Sequence, residues 1–104
     1  MRYVDVILPL PLEGVFTYAL PPALSDRTLF GVRVLVPFGR NKTYTALAVR
    51  THDDEPAFKV KETIAALDAE PVVTPLQWRF WQWVADYYLC PVGEVYKAAM
   101  PSGL

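Results

Sequence analysis

A handful of residues have the types needed to hold one nucleotide. Phe16 and Tyr18 lie two apart, so in a strand they share a face while Thr17 points the other way. Gly39, Arg40 and Lys42 follow Pro37-Phe38 in a turn, and Lys61 stands further along the chain. An aromatic face can stack on a base. A turn built on Gly39 and Asn41 can offer backbone N–H groups to a phosphate, with Arg40 and Lys42 adding positive charge. Each part has a plainer reading beside it. Phe16 and Tyr18 can be ordinary inward-facing strand residues, and the Gly39 turn can be a hairpin with solvated charges.

Other chemistries find no residues to carry them. His52 is the only histidine and has no Ser or Cys partner in a recognisable nucleophile motif. Neither GxxxxGK[ST] nor GxGxxG occurs. Asp53-Asp54-Glu55 are consecutive and lack EF-hand spacing, so they read as a solvated turn with His52 as a surface neighbour. One His with one Cys, Cys90, does not make a usual structural zinc site. No catalytic residue and no metal ligand is therefore expected. Ten Lys and Arg against eleven Asp and Glu give a net charge of −1. That excludes a domain coating nucleic acid through a broad basic face, and leaves room only for a small local contact. With 53% hydrophobic and 13% aromatic residues the chain has enough apolar surface to fold. No apolar run approaches the ~20 residues of a membrane span. A lone cysteine without a secretory signal fits the reducing cytoplasm.

The elements that must position these residues follow from periodicity. Strands are predicted over 3–8, 15–19, 32–36, 43–50 and 58–64, each bounded by Pro, Gly or a charged loop. In the first, Val4, Val6 and Leu8 share one face, with Tyr3, Asp5 and Ile7 on the other. In the fourth, Thr43, Thr45, Leu47 and Val49 oppose Tyr44, Ala46, Ala48 and Arg50. In the fifth, apolar even positions alternate with mainly charged odd ones. Short strands so spaced suggest a small closed barrel over residues 1–66. Composition shifts at Leu67, and residues 67–104 read as a helical extension. Thr74 as N-cap, Pro75 at the first helical position and Gln77 completing a capping box start a helix that stops before Pro91. Val73 and Trp78 are spaced for a hydrophobic staple. Leu76, Phe80, Trp83, Val84 and Tyr87 form one apolar stripe; Trp78, Trp81, Ala85 and Tyr88 form a second. A helix so apolar must be covered on two sides: by the barrel on one, and by a short helix over 93–100 or a further part of a longer protein on the other. The three tryptophans thus read as architecture rather than as base-stacking platforms. The tail 101–104 reads as an exit, as in the N-terminal piece of a longer protein.

The order and spacing of several segments add a resemblance. Val6-Ile7-Leu8-Pro9-Leu10-Pro11-Leu12, Phe16-Thr17-Tyr18, Val36-Pro37-Phe38-Gly39-Arg40, Leu67-Asp68-Ala69-Glu70-Pro71 and Ala85-Asp86-Tyr87-Tyr88 with Pro91-Val92-Gly93-Glu94-Val95 together resemble the N-terminal 3′ DNA-binding domain of the PriA family of primosomal replication-restart helicases. The resemblance runs from end to end. It implies a mainly β fold, a small OB-like β-barrel followed by one long and one short α-helix. It implies a non-catalytic domain that captures the 3′-OH terminal nucleotide of a nascent leading strand at a stalled fork, through Phe16, Thr17, Tyr18, Gly39 and Lys61. Arg40 and Lys42 are candidate phosphate contacts. Thr17 stands where some family members carry Asp, whose carboxylate contacts the terminal base; Thr keeps a donor and two acceptor lone pairs without the charge. ATP, magnesium and zinc are expected only in the family's later domains, and no cofactor here. Expected partners are single-stranded and fork DNA with a free 3′ end, the remaining domains of a full-length helicase and other primosome proteins, with no membrane. The expected location is the bacterial cytoplasm, at the nucleoid. The competing expectation is a non-enzymatic interaction barrel that docks a partner protein or the rest of its own chain.

Overall fold

β1 (Tyr3–Ile7) organises the sheet, because its five residues are buried on both faces. β2 (Phe16–Ala19) flanks it on one side and β4 (Thr43–His52) on the other. Beyond β4 lie β3 (Arg33–Pro37) and the short β5 (Ala65–Ala66), giving the antiparallel order β2-β1-β4-β3-β5. Two helices follow, α1 (Pro75–Tyr88) and α2 (Val92–Ala99). The computed structural model describes residues 2–100, so the tail 101–104 lies outside the described residues. The architecture is mainly β with a long and a short C-terminal helix, consistent with a small OB-like fold.

The predicted faces hold for β1 and for β4 as far as Ala48; Arg50, expected on the Ala46–Ala48 side, lies opposite Asp5 instead, because a bulge at Val49 shifts the alternation. Val4 and Val6 from β1, with Leu8 just past it, meet Tyr18, Val34, Val36, Ala46 and Ala48 inside the curled sheet. Ile7 and Leu47 face the other way, against Val73, Trp81 and Tyr96. Asp5 pairs with Arg50 but Val6 with Ala48, leaving Val49 as an extra residue. Such a bulge bends its strand and increases the local twist, which helps the sheet curl.

The fifth strand differs from expectation. Residues 58–64 do not form one strand; Glu62 alone makes an isolated parallel bridge to Ala19, and the ladder resumes only at β5. The segment crosses between two edges rather than following one. The Ala19 N–H donates to the Lys61 carbonyl at 2.9 Å, and the Thr63 N–H donates to the Ala19 carbonyl at 3.0 Å. The Ile64 and Leu67 N–H groups then donate to Leu35 and Arg33 of β3, both at 2.8 Å. Alternating residues make a strand only where one edge runs long enough to pair with them. Here the crossing joins the two outer edges of the sheet at one point.

Asp68 locks the path onward. Its carboxylate accepts from the Arg33 backbone N–H at 2.9 Å and from the Arg33 guanidinium at 2.8 and 3.0 Å. The Arg33 hydrogen bonds hold the Asp68 carboxyl below the usual carboxylate range, and the same bonds raise Arg33. α1 begins at the predicted capping box: the Gln77 N–H donates to Thr74 Oγ1 at 3.1 Å and the Thr74 N–H to Gln77 Oε1 at 2.8 Å. It ends at Leu89, in the left-handed region at φ 54°, just before Pro91. Gly93 lets α2 settle on the end of β1, since a Cβ there would run into the Leu8 and Leu10 carbonyls. Tyr96 then donates to the Thr45 carbonyl at 2.9 Å, and burial pushes its phenol up to about 12.

Among the described residues α1 is covered on one side. The sheet and α2 both meet it around Trp81, and Ala85 is buried as well. The other stripe is open, with Phe80, Trp83 and Tyr87 about 60% exposed or more. Their rings stack, Phe80 on Trp83 at 6.1 Å and Trp83 on Tyr87 at 5.3 Å. Of the two covers expected for the second side, the short helix and a further part of a longer protein, the short helix does not supply it. The sheet and α2 share one wall because α2 folds back into the angle between α1 and β1.

Candidate functional site

β2 supplies the first wall of a cleft. The Tyr18 ring is buried in the core, and its hydroxyl donates to the Pro37 carbonyl at 2.7 Å. Burial raises this phenol above its ordinary value. The bond ties β2 to the stretch entering the β3–β4 turn, so Tyr18 positions the site more than it faces it. Phe16 is half-buried, edge-on to Phe38 with centroids 5.4 Å apart, and Phe38 is edge-on to Tyr44 at 6.1 Å. Edge-to-face pairs of this kind fix ring orientation.

The turn supplies the second wall. The Phe38 N–H donates to the Lys42 carbonyl at 3.0 Å, and Gly39 and Asn41 both take positive φ, 71° and 57°. The third wall is the stretch 58–61, anchored to β2 through the Lys61 carbonyl. Together they enclose a cleft of about 340 Å³.

Phe16, Thr17, Tyr18, Gly39 and Lys61 all line this cleft. The sequence places them on three separate stretches, and the fold brings them to one concavity. Arg40 and Lys42 do not line it; both are exposed on the turn beyond Gly39. Among the described residues Lys61, Arg40 and Lys42 have no ion-pair partner. Phe38, Phe58 and Lys59 also line the cleft and were not singled out as site residues. For Phe58 and Lys59 the alternation points to a strand in the sheet, whereas the structure places them on an exposed arm tied to β2 at Lys61. Among the described residues no carboxylate is on the lining, so Lys59 and Lys61 give it a positive field although the chain's net charge is −1.

Thr17 has two faces. Its hydroxyl donates to Asp5 Oδ1 at 2.7 Å, across to β1. Its backbone points the other way. The Leu20 N–H donates to the Arg2 carbonyl, whereas both backbone groups of Ala19 bond outward to the 61–63 stretch. The alternation of an antiparallel ladder then puts the N–H and C=O of Thr17 on the same outer edge as those of Ala19, toward the cleft.

Asp5 is also bonded to His52 Nε2 at 2.9 Å, and the Asp54 N–H donates to His52 Nδ1 at 3.1 Å. An acceptor role at Nδ1 leaves the proton on Nε2, facing Asp5. Tyr3 stacks on the imidazole at 6.0 Å. The sequence reading of His52 as a surface residue is therefore corrected: its side chain is 10% exposed, because β4 runs two residues further than expected and pairs His52 with Tyr3. The threonine and histidine both meet the same carboxylate rather than each other, so this is a structural tie and not a nucleophile–base pair. Among the described residues no group of three His, Cys, Asp or Glu could hold a metal, and no helix is long and apolar enough to cross a membrane.

A family model described as 3′DNA-binding domain (3′BD) matches residues 5–101. Replication restart protein PriA of Haemophilus influenzae is 38% identical over 102 residues, covering 97% of this chain and 14% of that protein. The proteins of the same name from Synechocystis sp. and Treponema pallidum are 34% and 29% identical, over 95% and 96% of this chain and 12% and 16% of theirs. The chain thus spans about one seventh of the length of these curated relatives.

Proposed function

We propose, because the chain belongs to the 3′DNA-binding domain (3′BD) family, that this replication-restart DNA-binding domain uses the cleft between β2, the Gly39 turn and the 58–61 stretch to capture the 3′-OH terminal nucleotide of a single DNA strand. The observation that carries the reading is the convergence of Phe16, Thr17, Gly39 and Lys61 on one cleft that, among the described residues, has no carboxylate. Phe16, steadied by Phe38, offers the base an aromatic wall. The outward N–H and C=O of Thr17 offer its edge one donor and one acceptor. Such a pair fits part of every base edge, so it holds a base without choosing strongly among them. The Gly39 backbone and the Lys61 ammonium serve the sugar and phosphate oxygens. A Cβ at Gly39 would meet nothing within 4 Å, so the turn keeps its glycine for the positive φ and not for lack of space.

A free 3′-OH fits as donor and acceptor in such a slot, whereas a 3′-phosphate loses the hydroxyl donor and adds bulk beside the Gly39 turn. The domain does no chemistry in this reading. ATP, magnesium and zinc act in other parts of a longer protein, in the cytoplasm at the nucleoid. Partners beyond DNA are the rest of that protein and other primosome components. The exposed Phe80–Trp83–Tyr87 ladder favours a second reading, in which this module also docks protein through α1.

The test compares fluorescence anisotropy of a short labelled single strand ending in 3′-OH with the same strand ending in 3′-phosphate. Tighter binding of the free 3′-OH end is expected. Equal binding, or none, overturns terminal capture and leaves the protein-docking reading.

A further inference from the structure

Phe58 is 70% exposed and, among the described residues, has no ring partner. A bare phenyl ring on a surface arm is costly to leave in water. Its place is specific. Phe58 and Lys59 line the terminal-nucleotide cleft, and they also line a second cleft of about 260 Å³ on the far side of the same arm. The arm is not free to swing, because it is tied to β2 immediately afterwards, at Lys61 and Thr63. Lys59 is exposed and, among the described residues, without an ion-pair partner.

A strand whose last nucleotide fills the first cleft must leave over the rim of that cleft. The arm offers it an unoccupied aromatic face with a cation beside it. We propose that Phe58 and Lys59 form a second nucleotide subsite: the base before the 3′-terminal one stacks on Phe58, and the phosphate joining the two nucleotides lies at Lys59. This rests on the terminal-capture reading of the first cleft. The far wall sets a limit to the footprint. Glu55 and Glu62 line the second cleft, and Asp53 and Asp54 precede Glu55 in the same loop. That wall repels the next phosphate, so recognition ends after two nucleotides.

The test is anisotropy competition on the 104-residue chain. Unlabelled deoxythymidine mono-, di-, tri- and pentanucleotides, each with a 5′-phosphate and a 3′-OH, compete against a labelled strand. The dinucleotide is expected to compete about five- to hundredfold better than the mononucleotide, the range one stacked base contributes. Longer competitors gain less than about threefold more. Phe58→Ala collapses the step from one nucleotide to two to below about twofold, while Phe58→Trp keeps it, because the ring is what stacks. Both variants fold, since the side chain lies mostly in solvent. An undiminished step in Phe58→Ala, or affinity that keeps climbing from two nucleotides to five, overturns the second subsite alone. If 3′-phosphorylated competitors match the 3′-OH series in the unsubstituted protein, the terminal-capture reading fails and the second subsite with it.

Discussion

At Thr17 the side chain and the backbone serve different purposes. The hydroxyl is held by Asp5, which also holds His52, so it braces β2 against β1. The cleft receives only the peptide group. Thr17→Ala should therefore lower stability by about 1 kcal/mol, the worth of a hydrogen bond lost from a buried acceptor that keeps its other donor. It should change 3′-end affinity by less than about threefold. Urea denaturation beside anisotropy separates the two effects, and a large affinity loss with unchanged stability would mean that the hydroxyl itself reads the base. Lys61 behaves in the opposite way. Its side chain is exposed and unpaired among the described residues, so Lys61→Ala should leave the thermal midpoint in place. It should weaken binding about tenfold, as expected for removing a charged hydrogen bond to DNA. The types of both residues were legible in the sequence. Their orientations were not, because which way a strand residue's peptide group points depends on the register with its neighbour.

At the scale of elements, α1 separates residues that look alike in sequence. Trp81 and Trp83 are two positions apart on one helix, yet Trp81 is 7% exposed and Trp83 58%. Trp81→Ala should cost about 3–5 kcal/mol through the cavity it leaves against Tyr96 and Ile7. Trp83→Ala should fall within about 0.5 kcal/mol, as surface changes do. Chemical denaturation of the two variants checks this, and acrylamide quenching should reach Trp83 but not Trp81. The capping box, by contrast, was fully legible. Thr74, Pro75 and Gln77 act through bonds spanning three residues, and local sequence suffices to specify those. Which apolar stripe would be covered depended on where α2 returned. That depends on Gly93 meeting the Leu8 and Leu10 carbonyls just past β1, more than eighty residues earlier in the chain.

At the scale of the molecule, stability should have an acid and an alkaline limb with assignable causes. Asp68 is held below its ordinary value by Arg33, so its contribution is present above pH ~4 and lost as pH falls further. Asp68→Asn should cost about 2 kcal/mol at pH 7 and flatten the acid limb. Tyr96 is pushed up to about 12. Its contribution is complete below pH ~10 and disappears as pH rises from there toward the folded value. Tyr96→Phe should flatten the alkaline limb, measured by thermal melts across pH. Binding should respond only weakly to salt. A contact with one or two phosphates gives a log–log slope shallower than about −2, at about −0.7 per phosphate on a single strand. A much steeper slope would place DNA on a broad surface, which a net charge of −1 does not provide.

The alternating faces of β1 and of β4 as far as Ala48, the capped start of α1, the stop at Pro91 and the residue types of the cleft were all determined by the sequence itself. Each depends on a period or a bond within one segment. The crossing of 61–67 between two sheet edges, the burial of His52, the open ladder on α1 and the exposed arm at Phe58 were decided only by the tertiary structure. Each depends on which distant edge or face a segment meets. A pattern of apolar and charged residues states that a segment has two sides, but not whether anything will lie against them.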